Sequence, residues 1–301
     1  MLGLAAHNLI STLQALVLGV LQGATELFPV SSLGHTVIFP NLFGWHDVVK
    51  WQAQTESPWL AFLVMLHVGS AIGLLIYFWR DWVAIVRAFI ATLRKRRVET
   101  PTERLAWLII VASIPVGILG LALEHAARVA TAKPVIASIF LVINGFVLLA
   151  AERLRRRADV RELARRQGSK EDGGRRLDTL AYREAAVIGV GESTALIAGI
   201  SRDGVVMATG LARGLDNADA ARYGFLLATP IILVAGLYKI PDLTGPNGNG
   251  VRGPAVIAAL VAAVTAVLTV HFLTRYFRRG TLIPFGIYCV LFGLAMIIYN
   301  A

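Results

Sequence analysis

The chain has 301 residues, of which 56% are hydrophobic and only 16% charged, and its net charge is +10. A soluble domain carries about 25% charged residues to cover its surface. The composition therefore excludes a water-soluble enzyme, and also a disordered or fibrous chain. Three basic runs (94–97, 153–183 and 275–279) separate long apolar segments, a pattern typical of cytoplasmic loops. We predict a polytopic membrane protein that contacts the lipid bilayer and no nucleic acid.

The first apolar segment, residues 13–43, is interrupted by polar residues and a proline. This pattern predicts two half-length helices joined by an irregular break, as in a re-entrant hairpin. Pro29 ends the first helix, because proline disfavours helical backbone at the residue before it. Ser31 or Ser32 then caps the second helix.

Both arms of this first hairpin carry polar groups. Gln22 and Glu26 are four positions apart and therefore share one helix face. Gly34 and His35 lie in the first turn of the second arm, where free N–H groups and the positive end of the helix dipole suit a phosphate. An ionisable group at this depth costs a few kcal/mol. We therefore expect Glu26 to have a partner or a function.

Six further segments are apolar enough to cross the hydrocarbon, which takes about 20 residues. They are residues 59–79, 105–123, 134–151, 223–238, 254–274 and 282–299. The positive-inside rule makes the basic loops 80–104, 152–183 and 275–281 cytoplasmic. Loops 124–133 and 239–253 are then external. The first broken segment consequently enters and leaves from the outside, and both termini are external.

A second broken segment, residues 184–211, enters and leaves from the cytoplasm in this topology. Gly199 ends its first arm, and Ser201 caps the second arm with Gly204 in the first turn. Arg202 then lies at the hairpin tip, at a depth where an unpaired cation is costly. A guanidinium there can hold a di-anion through two parallel hydrogen bonds.

The two broken segments match at a spacing of 170 residues. The aligned pairs are Gly19 with Gly189, Val20 with Val190, Gln22 with Glu192, Ser31 with Ser201, and Gly34 with Gly204. We predict an all-α inverted-topology repeat within a single integral-membrane domain, residues 1–301. Repeat one spans about 8–151, a basic cytoplasmic loop 152–183, and repeat two about 184–299. Substrate sites in such proteins lie near the midplane, where the discontinuous helices meet.

If the two tips meet, they assemble the groups that phosphoryl transfer needs. Arg202 and two helix N-termini neutralise phosphate charge, a serine hydroxyl is the nucleophile, and His35 carries a proton. A carboxylate beside an amide suits a divalent cation. Structural alternatives stay open: Glu26 and His35 pair with Arg202 without chemistry, or Arg202 pairs with Asp203 or Glu26 without a ligand.

These residues resemble two motifs of the undecaprenyl-pyrophosphate phosphatase family, the bacterial integral-membrane type linked to bacitracin resistance. The family carries Glu or Gln, three residues, then Glu, followed by Pro-x-Ser-Ser-x-Gly-His. The chain has Gln22-Gly-Ala-Thr-Glu26-Leu-Phe-Pro29-Val-Ser31-Ser32-Leu-Gly34-His35. The second family motif is Pro-Gly-x-Ser-Arg-Ser-x-x-Thr, and the chain has Ala198-Gly199-Ile-Ser201-Arg202-Asp203-Gly204-Val-Val206. The resemblance covers essentially the whole chain.

The resemblance implies hydrolysis of undecaprenyl diphosphate, a polyprenyl diphosphate lipid, to the monophosphate and phosphate. The reaction takes place on the outer, periplasmic face of the bacterial cytoplasmic (inner) membrane and recycles the carrier for cell-wall synthesis. A divalent cation, Mg²⁺ or Ca²⁺, is also implied. By position, Glu26 binds the metal with Gln22, and Ser32 is the nucleophile or a phosphate ligand. His35 is then the general acid or base, and Arg202 holds the phosphates beside Ser201.

The chain departs from the family pattern at Gln22, Ala198, Asp203 and Val206. Asp203 either weakens diphosphate binding by repulsion or supplies the metal ligand that Gln22 lacks. Glu192, the repeat mate of Gln22, is a second candidate ligand. Two other functions stay open: a transporter or flippase of undecaprenyl phosphate, since inverted repeats are common in transporters, and a lipid-binding relative without turnover. The choice between monomer and homodimer also stays open.

Overall fold

The structure is a computed structural model that describes residues 9–52, 54, 57–131, 133–165, 175–245 and 248–300. In this part of the chain the regular structure is almost entirely helical. The α-helices are α1 Thr12–Thr25, α2 Ser32–Leu42, α3 His46–Gln52, α4 Pro58–Tyr77, α5 Trp79–Lys95, α6 Pro101–Thr131, α7 Pro134–Arg165, α8 Tyr182–Glu192, α9 Arg202–Ala212, α10 Asn217–Thr244, α11 Arg252–Tyr276 and α12 Ile283–Asn300.

Six of these helices are long and apolar enough to cross a membrane: α4, α6, α7, α10, α11 and α12. Each contains one of the six predicted spans, to within one or two residues at the ends of α4 and α12, so the all-α polytopic fold is confirmed. Many of their large apolar side chains are exposed, for example Leu121 and Ile298. Such an outward apolar surface is what a lipid-facing helix presents.

Two predicted loops are largely helical, and the prediction was wrong there. Loop 80–104 contains α5, an amphipathic helix whose charged residues made it resemble a connector. Predicted loop 152–183 begins as a continuation of α7 as far as Arg165. Glu152 pairs there with Arg155 at 2.8 Å and Arg156 at 3.3 Å, and such one-turn ion pairs support a helix. Residues 166–174 lie outside the described part of the chain.

Both broken segments form the expected pairs of short helices, α1 with α2 and α8 with α9. α1 ends at Thr25, four residues before Pro29, as expected for a chain that must become irregular ahead of a proline. α8 ends at Glu192, a short 3₁₀ segment follows, and Gly199 has a φ of 104°. That angle lies in the left-handed region that favours glycine. The repeat boundaries and the re-entrant paths stay predictions.

The helices of the two halves interleave. α1 packs against α11, and α8 packs against α6. Gly19 and its aligned mate Gly189 mark the two close approaches. A Cβ at Gly19 would lie 2.7 Å from the carbonyl oxygen of Ala258, and one at Gly189 would clash with the carbonyl of Ala112. Each half therefore holds the first helix of the other half, and the two hairpin tips meet between them.

Candidate active site

The hairpin tips are joined through Ser31. Its hydroxyl accepts hydrogen bonds from the backbone N–H of Gly34 at 3.2 Å and of Gly199 at 3.1 Å. The first bond caps α2, which confirms the predicted cap and assigns it to Ser31. The second bond crosses to the other hairpin. Ser31 has a φ of 71°, a conformation that costs a non-glycine residue free energy and is concentrated at functional sites.

Asn144 of α7 bridges the same two tips. Its Oδ1 accepts from the backbone N–H of Ser201 at 3.0 Å, and its Nδ2 donates to the carbonyl of Pro29 at 3.0 Å. The residue is fully buried. Ser201 in turn caps α9 by accepting from the N–H of Gly204 at 3.1 Å, as predicted. Because α2 and α9 both begin here, their positive dipole ends lie beside one site.

Glu26 lies at the centre of the site and has four polar neighbours. Its Oε1 accepts from Nη2 of Arg202 at 2.6 Å. Its Oε2 accepts from Nε2 of Gln22 at 2.9 Å and from the hydroxyl of Ser32 in a short hydrogen bond. The structure thus brings together Gln22, Glu26, Ser32 and Arg202, as predicted. One of the structural alternatives, an ion pair between Glu26 and Arg202, is therefore present.

His67 of α4 is the fourth neighbour, and it lies outside both sequence motifs. Its Nε2 lies 3.5 Å from Oε2 of Glu26, and its Nδ1 lies 2.9 Å from the carbonyl oxygen of Leu63. Both ring nitrogens thus face oxygen atoms, one on the Glu26 carboxylate and one on the backbone of α4. A histidine inside a predicted span is itself a functional signal, because ionisable residues are rare there.

His35 lies apart from this group. Its Nδ1 donates to the carbonyl of Ser31 at 2.7 Å, and its Nε2 accepts from the hydroxyl of Tyr288 at 2.8 Å. The ring also stacks on Phe292, with 5.4 Å between centroids. The alternative in which His35 pairs with Arg202 is therefore wrong for this conformation. The acid–base role of His35 stays a prediction, and its observed contacts hold the strained Ser31 in place.

Several buried polar atoms at the site have no hydrogen-bond partner among the described residues. They are Oε1 of Gln22, Nη1 of Arg202, and both carboxylate oxygens of Glu192 and of Asp203. Glu192 and Asp203 are 2% and 1% exposed, and Asp203 lies 4.0 Å from Nη2 of Arg202. Leaving a buried polar group unpaired costs about 1–3 kcal/mol. The unpaired donor and oxygens therefore indicate that the site is built to bind something polar.

The unpaired groups divide by charge. Nη1 of Arg202 is a cationic donor that suits a phosphate oxygen. The oxygens of Gln22, Glu192 and Asp203 are hard donors of the kind that Mg²⁺ and Ca²⁺ prefer. In the described part of the chain, however, no three His, Cys, Asp or Glu side chains are grouped closely enough to hold a metal unaided. The donor chemistry fits a divalent cation that takes part of its ligand shell from a phosphate substrate.

The fold and this site define a polytopic α-helical membrane protein with a serine, a carboxylate and a guanidinium gathered where two helical hairpins meet. The family model for bacitracin resistance protein BacA matches residues 15–295. The chain belongs to this family.

Individual relatives match the chain along nearly its whole length. It is 49% identical to undecaprenyl-diphosphatase 2 of Frankia alni, over 93% of this chain and 95% of the relative. It is also 49% identical to the undecaprenyl-diphosphatase of Mycolicibacterium paratuberculosis, over 99% of both chains. The undecaprenyl-diphosphatase of Mycobacterium avium is 49% identical over 97% of this chain and 98% of its own length.

Proposed function

We propose that the protein hydrolyses undecaprenyl diphosphate to undecaprenyl phosphate and inorganic phosphate. The observation that carries this proposal is the hydroxyl of Ser32 donating to Glu26, which also pairs with Arg202. A serine bonded to a base and placed beside a phosphate-binding cation is the arrangement that nucleophilic phosphoryl transfer requires. The names of the relatives support the same substrate.

In this mechanism Glu26 accepts the proton of Ser32 as the serine oxygen attacks the terminal phosphorus. The phosphoanhydride bond breaks, and undecaprenyl phosphate leaves. Water then attacks the phosphoserine, and the bond between phosphorus and the serine oxygen breaks. Glu26 returns its proton to that oxygen, and inorganic phosphate leaves with the oxygen and protons of the water. Nη1 of Arg202 and the two adjacent helix N-termini stabilise the charge that develops on the phosphoryl oxygens. Gln22 holds the carboxylate of Glu26 in position by hydrogen bonding. Nε2 of His67 lies 3.5 Å from the same carboxylate oxygen and adds a polar contact.

We further propose that the site takes Mg²⁺ or Ca²⁺, which would be held by Glu26 and Gln22. Asp203 and Glu192 are the additional candidate ligands on the second hairpin. When bound, the cation neutralises part of the diphosphate charge. By the positive-inside rule the site opens to the outside of the bacterial cytoplasmic membrane, and α5 with the end of α7 lies on the cytoplasmic side.

The direct test is phosphate release from undecaprenyl diphosphate by the detergent-purified protein, with Mg²⁺, with Ca²⁺ and with a chelator. Glu26→Gln is the test variant, and Glu99→Gln, an exposed carboxylate, is the matched control. We expect metal-dependent release that Glu26→Gln loses and Glu99→Gln retains. A folded protein that binds the lipid without releasing phosphate would contradict the proposal and favour a transporter.

A further inference from the structure

Three stripes of side chains with different chemistry run along different sides of helix α5. Its buried stripe packs against α6. The ring centroids of Phe89 and Trp107 are 5.4 Å apart, and the hydroxyl of Thr92 accepts a hydrogen bond from the Trp107 indole at 3.0 Å. A second stripe is apolar yet exposed. It consists of Trp79, Val83, Val86, Ile90 and Leu93. These positions recur every three or four residues and therefore form one continuous line along the helix.

A basic stripe runs beside the apolar one. Arg80, Arg87 and Arg94 are spaced seven residues apart, so they lie on one face of the helix. Each follows a residue of the exposed apolar stripe, which places the two stripes about 100° apart around the axis. Arg222 of α10 pairs with Asp81 at 2.5 Å and fixes the beginning of α5 against the protein. The orientation of the three stripes is thereby set.

A shallow groove, open to the surroundings and formed by side chains of this one helix, lies on the basic side of α5. It is lined by Arg87, Ile90, Ala91, Arg94 and Lys95. Lys95 is engaged by Glu99 at 3.2 Å and Glu103 at 3.6 Å. Arg87 and Arg94 are exposed, and in the ranges that the structure describes neither has a carboxylate within ion-pair distance. The groove therefore offers two unneutralised guanidinium groups above an apolar floor.

We propose that α5 lies in the membrane interface and that this groove binds the headgroup of an anionic phospholipid. The exposed apolar stripe contacts acyl chains, and Arg87 and Arg94 contact the headgroup phosphates. A helix of this composition is too polar to span the bilayer but has the amphipathic pattern of an interfacial helix. Basic residues beside a transmembrane helix attract the anionic lipids of the cytoplasmic leaflet. The site is separate from the catalytic one and uses none of its residues.

The test compares two variants that remove the same charge from the same side of the protein. Arg87→Gln with Arg94→Gln removes the groove cations, and Arg278→Gln with Arg279→Gln removes two exposed cations of the loop before α12. Each purified protein is titrated in mixed micelles with phosphatidylglycerol or with phosphatidylcholine. Retained lipid is counted by native mass spectrometry. Phosphate release from undecaprenyl diphosphate, measured in detergent without added phospholipid, serves as the folding control. It is expected to be equal in all three proteins.

We expect the wild-type protein and the control variant to retain phosphatidylglycerol over phosphatidylcholine. The groove variant is expected to bind phosphatidylglycerol about 25-fold more weakly, since each basic residue near an anionic surface contributes about fivefold. Raising the salt concentration to about 0.5 M should also weaken the binding of phosphatidylglycerol to the wild-type protein, because salt screens the charges. Equal losses of phosphatidylglycerol binding in the two variants would show that binding depends on overall charge and would overturn the proposed groove site. Full retention by the groove variant would overturn it as well. If that variant failed to fold, Arg87→Gln and Arg94→Gln would be measured singly, each expected to bind phosphatidylglycerol about fivefold more weakly. Unchanged binding in both would overturn the groove.

Discussion

Oε1 of Glu26 lies 2.6 Å from Nη2 of Arg202, although the two residues belong to different hairpins. Their side chains are only 5% and 14% exposed, so water screens the pair poorly. Removing one member of a buried ion pair costs about 3–5 kcal/mol, because the other charge is left uncompensated. A substrate phosphate must compete with the Glu26 carboxylate for Arg202 or use its second nitrogen. Nη1 is available for that purpose.

The first prediction concerns Arg202. Arg202→Lys keeps the charge but loses the planar pair of donors. We expect phosphate release to fall at least about 100-fold, the loss typical of removing a transition-state donor. Arg222→Lys is the control, because Arg222 forms an exposed pair with Asp81 outside the site. Thermal unfolding of both variants should stay near that of the wild-type protein. Activity near wild type in Arg202→Lys would remove the guanidinium from the mechanism.

The second prediction separates the adjacent serines. Ser32→Ala should lower kcat by about 1,000-fold or more, as loss of a nucleophile does, with little change in stability. Ser31→Ala leaves the N–H groups of Gly34 and Gly199 without their shared acceptor. At about 1–3 kcal/mol for each buried donor, this variant should unfold at a clearly lower temperature. The opposite pattern, with Ser31 essential for kcat and Ser32 needed for stability, would exchange the two roles.

The third prediction concerns His67, which lies 3.5 Å from the Glu26 oxygen that accepts from Ser32 and is assigned no bond to the substrate in the proposed mechanism. His67→Ala removes this polar contact and leaves Gln22, Ser32 and Arg202 to hold the carboxylate of Glu26. We expect kcat to fall about tenfold or more with KM nearly unchanged, and His67→Gln to recover part of the loss. His271→Ala, which changes an exposed histidine of α11, is the matched control. A change in KM alone would indicate that His67 binds substrate and does not position the base.

The fourth prediction tests the two carboxylates of the second hairpin. If Asp203 supplies the ligand that Gln22 lacks, Asp203→Ser should raise the metal concentration needed for half-maximal activity. Glu192→Gln should act in the same direction if Glu192 is also a ligand. The readout is a Mg²⁺ and Ca²⁺ titration of phosphate release. An unchanged titration in Asp203→Ser would remove Asp203 from the metal site. A gain in activity without any shift would show that Asp203 repels the diphosphate.

The sequence was sufficient for the spans and for most of the site, because both leave local patterns. Runs of about 20 apolar residues mark the six long helices. A proline at position 29 and serine caps at 31 and 201 mark the hairpin tips. The meeting of Glu26 with Arg202 was expected on the hypothesis of an inverted repeat, in which corresponding breaks come together.

Most of what the sequence did not predict concerns contacts between residues on different helices. Asn144 and His67 lie within apolar spans, and their partners come from other helices. The hydrogen bond from Tyr288, on the last helix, to His35 was likewise not predicted, and the acid–base role of His35 stays a prediction. α5 was overlooked because its apolar residues alternate with arginines. Its period of three to four residues was nevertheless visible in the sequence.

The interleaving of the two halves also constrains how the protein is made. The close approach of Gly19 to Ala258 cannot form until α11 has been synthesised. At about 5–20 residues per second, the wait for translation is on the order of tens of seconds. During that time α1 is in the membrane without its final neighbour. Assembly of the site is therefore completed late. A chain truncated before α11 would have Ser32 and Arg202 but would lack the main packing partner of α1, the helix that ends at Glu26.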